Sequence, residues 1–274
     1  MKKSIIKKLF IKLSKIMGYE IIDQNSFTSP TLDKELNKDL SKLNDKSIVL
    51  PLGEVKISRK VKSILILFRT NSNVEIWDQN KKRLFELPKI EYTLRSLNSI
   101  LKSINFSKEK YPNIKIQLTI IDDNTNEINL SKIKKLINNN TDVSITRVNH
   151  DKYKELIKKQ KNDETFSNLA SLLCSYEIAK KNADDLVFFV EDDYLHFEAM
   201  MEEMIASYER ISSQLNKDIF MCPADYPYLY MNNHKTNILI GNKRHWRTVN
   251  ETLCTFLTSK ELLEKYWDNF YKTC

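Results

Sequence analysis

The sequence predicts an α/β fold, a mostly parallel sheet with helices on both faces. Two observations carry this. Short apolar runs alternate with amphipathic segments of ten or more residues, as when strands buried on both faces are joined by helical crossovers. Those runs also end in polar clusters, at the edge where open parallel sheets bind ligands.

Taken in order, "MKKSIIKKLFIKLSKIM" (1–17) sets six lysines against Ile5, Ile6, Leu9, Leu13 and Ile16, the spacing of a basic amphipathic helix. Such a helix either lies on an anionic membrane surface or packs on the domain or a partner with its lysines in water. Residues 24–60 are polar, contain Pro30 and Pro51, and read as an irregular lead-in. The chain therefore divides into an N-terminal segment, 1–60, and one domain, 61–274.

Within that domain "SILILF" (63–68) is a buried strand. A helix follows over 89–104, with Leu94, Leu97, Ile100, Leu101 and Ile104 on one face. "IQLTII" (116–121) and "VSITRV" (143–148) are the second and third strands, with a short helix "LSKIKKLINN" between them. A helix over 166–182 leads to the fourth strand, "LVFFV" (186–190), then a helix over 197–214 and a strand over 218–222. The strand–helix alternation fills the first half of the domain, 61–195, and 196–274 form its second half.

Composition narrows the function classes. The net charge of +8 and pI near 9.1 come from lysines spread along the chain, without an arginine-rich aromatic patch, so nucleic acid is not the expected partner. Only Gly18, Gly53 and Gly241 occur, so no glycine-built phosphate loop can be written. Four cysteines without a CxxC pair argue against zinc and for a reducing compartment. No apolar run reaches the roughly 18 residues of a membrane span. The expected location is the cytoplasm, peripheral at the inner face of a membrane if the N-terminal helix docks there.

The strand ends hold the candidate chemistry. The first ends in Arg69-Thr70-Asn71, the second in Asp122-Asp123-Asn124, the third carries Arg147 and leads to His150, and the fourth ends in Glu191-Asp192-Asp193. A strand-end acid cluster suits Mn²⁺ or Mg²⁺ held by one or two carboxylates, with substrate phosphates completing the shell. Alternate residues of an extended chain face one side, which selects Asp193 and then Glu191 as metal ligands and turns Asp192 toward a ribose or a backbone amide. Asp122 and Asp123 can accept from a base or ribose, and Arg69 or Arg147 can pair with phosphate oxygens.

These residues resemble the GT-A glycosyltransferases, particularly glycosyltransferase family 2. "LTIIDDNTNE" (118–127) is similar to their second-strand DD-x-S signature, and "VFFVEDDY" (187–194) to their metal-binding D-x-D motif. "TFSNLASLLCSYEIAKKNADD" resembles the helix before the D-x-D strand, with Asn168 at the turn entering it. The resemblance spans about 62–260 and implies a nucleotide-sugar-binding half over 61–195 and an acceptor-binding half over 196–274. It implies a GT-A fold and an inverting, metal-dependent transfer from a nucleotide-sugar donor, UDP-linked by preference, to a hydroxyl of a glycan or lipid-linked acceptor in surface polysaccharide synthesis. It further implies that Asp123 with Asp122 holds the base or ribose, that Asp193 binds the metal, and that Asp192 or Glu191 contacts ribose or donor sugar. The first strand departs from the family's P-x-Y-N with "FRTNSN", and the family's later E-D acid motif is not cleanly written.

Inverting transfer needs a base for the acceptor hydroxyl. Asp225 in "MCPADYPYLYM", a loop with Tyr226, Tyr228 and Tyr230, is the first candidate, and Glu251 in "RHWRTVNETLCTFLTS" the second. In the latter stretch His245, Trp246 and Arg247 resemble the family's acceptor-side loop, which closes on the donor diphosphate or stacks on a sugar. His196 and His234 read as surface or capping residues rather than metal ligands. A sugar nucleotidyltransferase and a non-catalytic scaffold of the same fold are the alternatives.

Overall fold

The computed structural model describes residues 10, 12–14, 16–19, 56–73, 87–138, 140, 142–157, 163–226 and 236–274. The expected lead-in over 24–60 lies outside them except for its last residues, as do Tyr228, Tyr230 and His234. Of the helix expected over 1–17, residues 10, 12–14, 16 and 17 are described; Met17 is in a turn and the others are helical.

A five-stranded sheet has the order β3-β2-β1-β4-β7. Its members are β1 (Ser63–Thr70), β2 (Lys115–Asp122), β3 (Val143–Arg147), β4 (Leu186–Glu191) and β7 (Phe256–Ser259). The first four are mutually parallel and β7 runs antiparallel beside β4. A separate hairpin pairs β5 (Ile238–Ile240) with β6 (His245–Arg247). The helices are α1 (Lys89–Lys110), α2 (Glu127–Ile137), the short α3 (His150–Tyr153), α4 (Asp163–Asn182), α5 (Met200–Leu215), α6 (Lys260–Lys265) and α7 (Trp267–Lys272).

The period-2 alternation of β1 explains the layering. Ile64, Ile66 and Phe68 join one core with Leu97 and Ile100 of α1 and Met204 and Ile205 of α5. Leu65 and Leu67 face the opposite way, into a second core with Ala170, Leu173 and Tyr176 of α4. All eight residues of β1 are buried, as a strand covered on both sides requires. Arg59 anchors the entry to β1 through Asp185 at 2.5 Å and Asp218 at 2.9 Å, with its guanidinium 5.5 Å from the Tyr208 ring centre.

With so few glycines, asparagine takes most of the left-handed backbone positions among the described residues. Asn124, Asn138 and Asn216 have φ of 64°, 41° and 50°, and the last two close the C-terminal ends of α2 and α5.

The strand expected over 218–222 is not formed. Only Met221 pairs, in an isolated bridge to Leu257, and Pro223, with no N–H to donate, follows soon after. The edge strand is instead β7.

Candidate functional site

The strand order reverses between β1 and β4, because β2 and β3 lie on one side of β1 and β4 on the other. The carboxyl ends of β1 and β4 therefore border the crevice where open α/β sheets bind ligands. Register places Arg69 opposite Glu191, and one row further on Thr70 opposite Asp122 and Asp122 opposite Arg147.

Arg69 is buried at this junction. It donates to Glu191 Oε1 at 2.7 Å, to Asn168 Oδ1 at 3.0 Å and to Ser171 Oγ at 3.2 Å. Asn168 is thus not in the turn entering α4, as expected, but inside the helix, where its side chain orients Arg69. Burial raises the Glu191 carboxyl, Arg69 opposes that, and the neighbouring Asp193 and Asp192 charges add to it.

The three consecutive acids have different fates. Glu191 is partly exposed, Asp193 is exposed, and Asp192 is buried between them. Asp192 is taken up by side chains of the protein. Its Oδ2 accepts from Thr70 at 2.6 Å and Thr93 at 2.7 Å, and its Oδ1 meets Lys89 Nζ at 2.5 Å. This carboxylate ties β1, β4 and the first turn of α1 together. Asp193 opens to solvent at the mouth, but atoms packed around it partly desolvate its carboxyl and raise it, opposed by Lys89 and reinforced by Asp192.

Asp122 and Asp123 are also turned inward, at 0% and 2% exposure. Asp122 lies 3.3 Å from Arg147 Nε; burial raises its carboxyl, with Thr125 and Arg147 opposing. Asp123 is held by His150 Nε2, Ser167 Oγ and the Asn71 amide. The groups of this row that reach solvent are Arg147 and His150. His150 also sets its ring edge-on to Phe166 at 5.5 Å. Arg147 further bonds Glu127 at 2.7 Å and the Thr125 carbonyl at 3.2 Å.

Beside the crevice lies a cavity of about 1220 Å³ whose lining includes Asp225, Glu251, Lys243, Arg244, His245 and Arg247. Both base candidates and the basic loop thus share one chamber. Arg247 Nη2 lies 3.5 Å from Asp225 Oδ1. The chamber adjoins the acid cluster through Tyr194, one residue past Asp193, whose hydroxyl lies 2.7 Å from that of Tyr226, one residue past Asp225. Burial pushes the Tyr194 phenol up to about 12, aided by the Asp193 charge, so it stays protonated near neutrality.

The basic loop is fixed by Glu203 of α5. Its carboxylate accepts from the Lys243 N–H at 2.8 Å, Trp246 Nε1 at 3.1 Å, the Asn242 N–H at 3.1 Å and Ser207 Oγ at 2.9 Å. Burial works to raise this carboxyl, but the donors outweigh it and hold it below the usual range. Gly241 permits the close approach. A Cβ there would sit 2.3 Å from Ser207 Oγ, 2.5 Å from Glu203 Oε1 and 2.5 Å from Trp246 Nε1.

The acid cluster fits a divalent cation in one way only. Among the described residues no three His, Cys, Asp or Glu side chains converge to hold a metal by themselves. Glu191 is partly exposed and Asp193 exposed; burial is the main cause that raises both carboxyls, with neighbouring acid charges adding to it and Arg69 and Lys89 opposing it. That matches an open site completed by phosphate and water, with Asp193 the freer ligand, and not a closed cage. His196 does not cap the following helix, whose N-cap is Ala199; its Nε2 is buried without a hydrogen-bond partner, and burial lowers the imidazole to about 4.

Several of these residues were not singled out from sequence. Lys89 carried a signal, since a cation in the first turn of a helix opposes the helix dipole and implies an acid partner. Glu203 carried none, because an acid in a first turn reads as ordinary. No protein-family model matches the chain, and no curated protein matches it either.

Proposed function

We propose that this chain is a metal-dependent glycosyltransferase. It would move a sugar from a nucleoside-diphosphate donor, UDP-linked by preference, to a hydroxyl of a glycan or lipid-linked acceptor, with inversion. The observation that carries the reading is the pairing of an open two-carboxylate edge at the sheet's switch point with an adjoining chamber that holds Asp225 among fixed cations. GT-A architecture is the finer form of this reading, supported by the order of the first four strands and an antiparallel strand beside β4.

In this scheme the donor lies across the ends of β1 and β4. Mn²⁺ or Mg²⁺ held by Asp193, with Glu191 beside it, would neutralise the diphosphate. Lys243, Arg244 and Arg247 add positive charge from the chamber side. The acceptor oxygen bonds to the anomeric carbon as the bond from that carbon to the diphosphate oxygen breaks. The bonding electrons leave with the nucleoside diphosphate, and Asp225 takes the acceptor's proton, with Glu251 the second candidate in the same chamber. Asp122, Asp123, Asn168 and Asp192 act as positioning residues, because their partners lie within the protein.

A thermal-shift screen of UDP-, GDP-, dTDP- and CMP-linked sugars, with and without Mn²⁺, tests this. One class should stabilise the fold only with metal, by about 2.7 kcal/mol at a hundredfold excess over Kd. Absence of any metal-linked stabilisation overturns the reading.

A further inference from the structure

The helical residues near the N-terminus are turned outward on their apolar side. Phe10, Leu13, Ile16 and Met17 are 61%, 51%, 73% and 59% exposed, while Ser14 is 3% exposed. An ordinary amphipathic helix buries the opposite set. At about 100° per residue the four apolar residues fall within a 120° arc; in the sequence Ile6 and Leu9 share that phase and Ile5 borders it. By the same spacing Lys7, Lys8, Lys12 and Lys15 fall in a separate arc that also takes Ile11, while Lys2 falls within the apolar one. The helix has a defined end. The Tyr19 N–H bonds the Ser14 carbonyl at 2.8 Å across Gly18, whose φ is +84°, a left-handed cap that glycine adopts freely. Tyr19, just past it, is 70% exposed.

An exposed apolar stripe needs a cover, and the charge beside it selects which. Residues 1–19 contain six lysines and no acid, in a chain with 36 acids. A protein partner covering such a stripe needs no such one-sided charge, whereas a bilayer with anionic headgroups meets both features at once. Apolar side chains enter the headgroup boundary and the flanking lysines meet the lipid phosphates. We propose that residues 1–19 dock this protein on anionic lipid, the helix lying in the plane of the interface with Phe10, Leu13, Ile16 and Met17 inserted. This is independent of the catalytic reading and stands whatever the chamber binds.

The test is co-sedimentation of the full chain with phosphatidylglycerol–phosphatidylcholine vesicles and with pure phosphatidylcholine vesicles, at low and high salt. Binding should occur on the anionic vesicles and weaken as salt rises. The double variant Leu13→Glu/Ile16→Glu should reduce it at least tenfold. Lys8→Gln/Lys12→Gln should reduce it about fivefold per lysine. Lys12, Leu13 and Ile16 are exposed, and an unchanged melting temperature confirms that each variant folds. The proposal is overturned if the wild type ignores anionic vesicles, or if binding survives both variants. It is equally overturned if the apolar variant leaves vesicle binding intact and instead dissociates an oligomer seen by light scattering.

Discussion

Replacing Asp192 and Asp193 separately by alanine should have opposite consequences, although the two are adjacent in one strand-end cluster. The Asp192 side chain is 8% exposed and its partner Lys89 is 11% exposed. Asp192→Ala leaves a buried ammonium and the hydroxyls of Thr70 and Thr93 facing a void. Removing one partner of a buried ion pair costs about 3–5 kcal/mol. For a domain of this size that lowers Tm by roughly 6–20 °C. Asp193 is exposed and borders two other carboxylates, so Asp193→Ala relieves repulsion and should change stability by about 0.5 kcal/mol or less. Urea denaturation of both variants and the wild type, read by circular dichroism, measures the difference. Equal losses, or a loss below about 1 kcal/mol for Asp192→Ala, would refute the division into a structural and a ligand-facing acid.

Gly241→Ala should cost about 1–3 kcal/mol, because its Cβ has no room among Ser207, Glu203 and Trp246, and the near-ultraviolet signal of Trp246 should change with it. His196 gives a pH signature. Its folded pKa of about 4 lies below the unfolded value of about 6.5, so the unfolded chain binds more protons between those values and stability falls as pH drops through that window. The loss approaches about 3 kcal/mol below pH 4. His196→Leu should remove that part of the acid sensitivity, and parallel curves of Tm against pH for the two proteins would contradict it. In a transfer assay Asp225→Asn should lower the rate about 10²–10⁴-fold while donor binding by calorimetry is retained, and Glu251→Gln should do so only if Glu251 is the base.

The sheet was legible because burial on both faces leaves unbroken apolar runs, and "SILILF" and "LVFFV" each mark the core of a strand. The C-terminal edge was not. β7 has four residues and β5 and β6 three each, too short for a period to emerge, so "FLTS" reads as a generic apolar segment. Residues 218–222 mislead in the other direction, since their apolar character serves the core through Met221 without a ladder.

At the site, residue type and strand position could be read but not side-chain direction. The sequence places Asp122, Asp123 and Asp192 at strand ends, where acids are ordinarily solvated. Only the packing of Arg147, His150, Ser167 and Lys89 around them shows that they face inward. The chamber depends on contacts between α5 and a loop some 40 residues later, anchored by Glu203, and no local pattern encodes such a pairing.

The most direct test of the central claim is release of nucleoside diphosphate from nucleotide sugars by the wild-type protein and by Asp193→Ala, with Mn²⁺ and with chelator. The account predicts turnover of at least one donor class, abolished by chelation and by Asp193→Ala while the variant remains folded. Turnover that survives both treatments, or no turnover with any donor and metal, would contradict it.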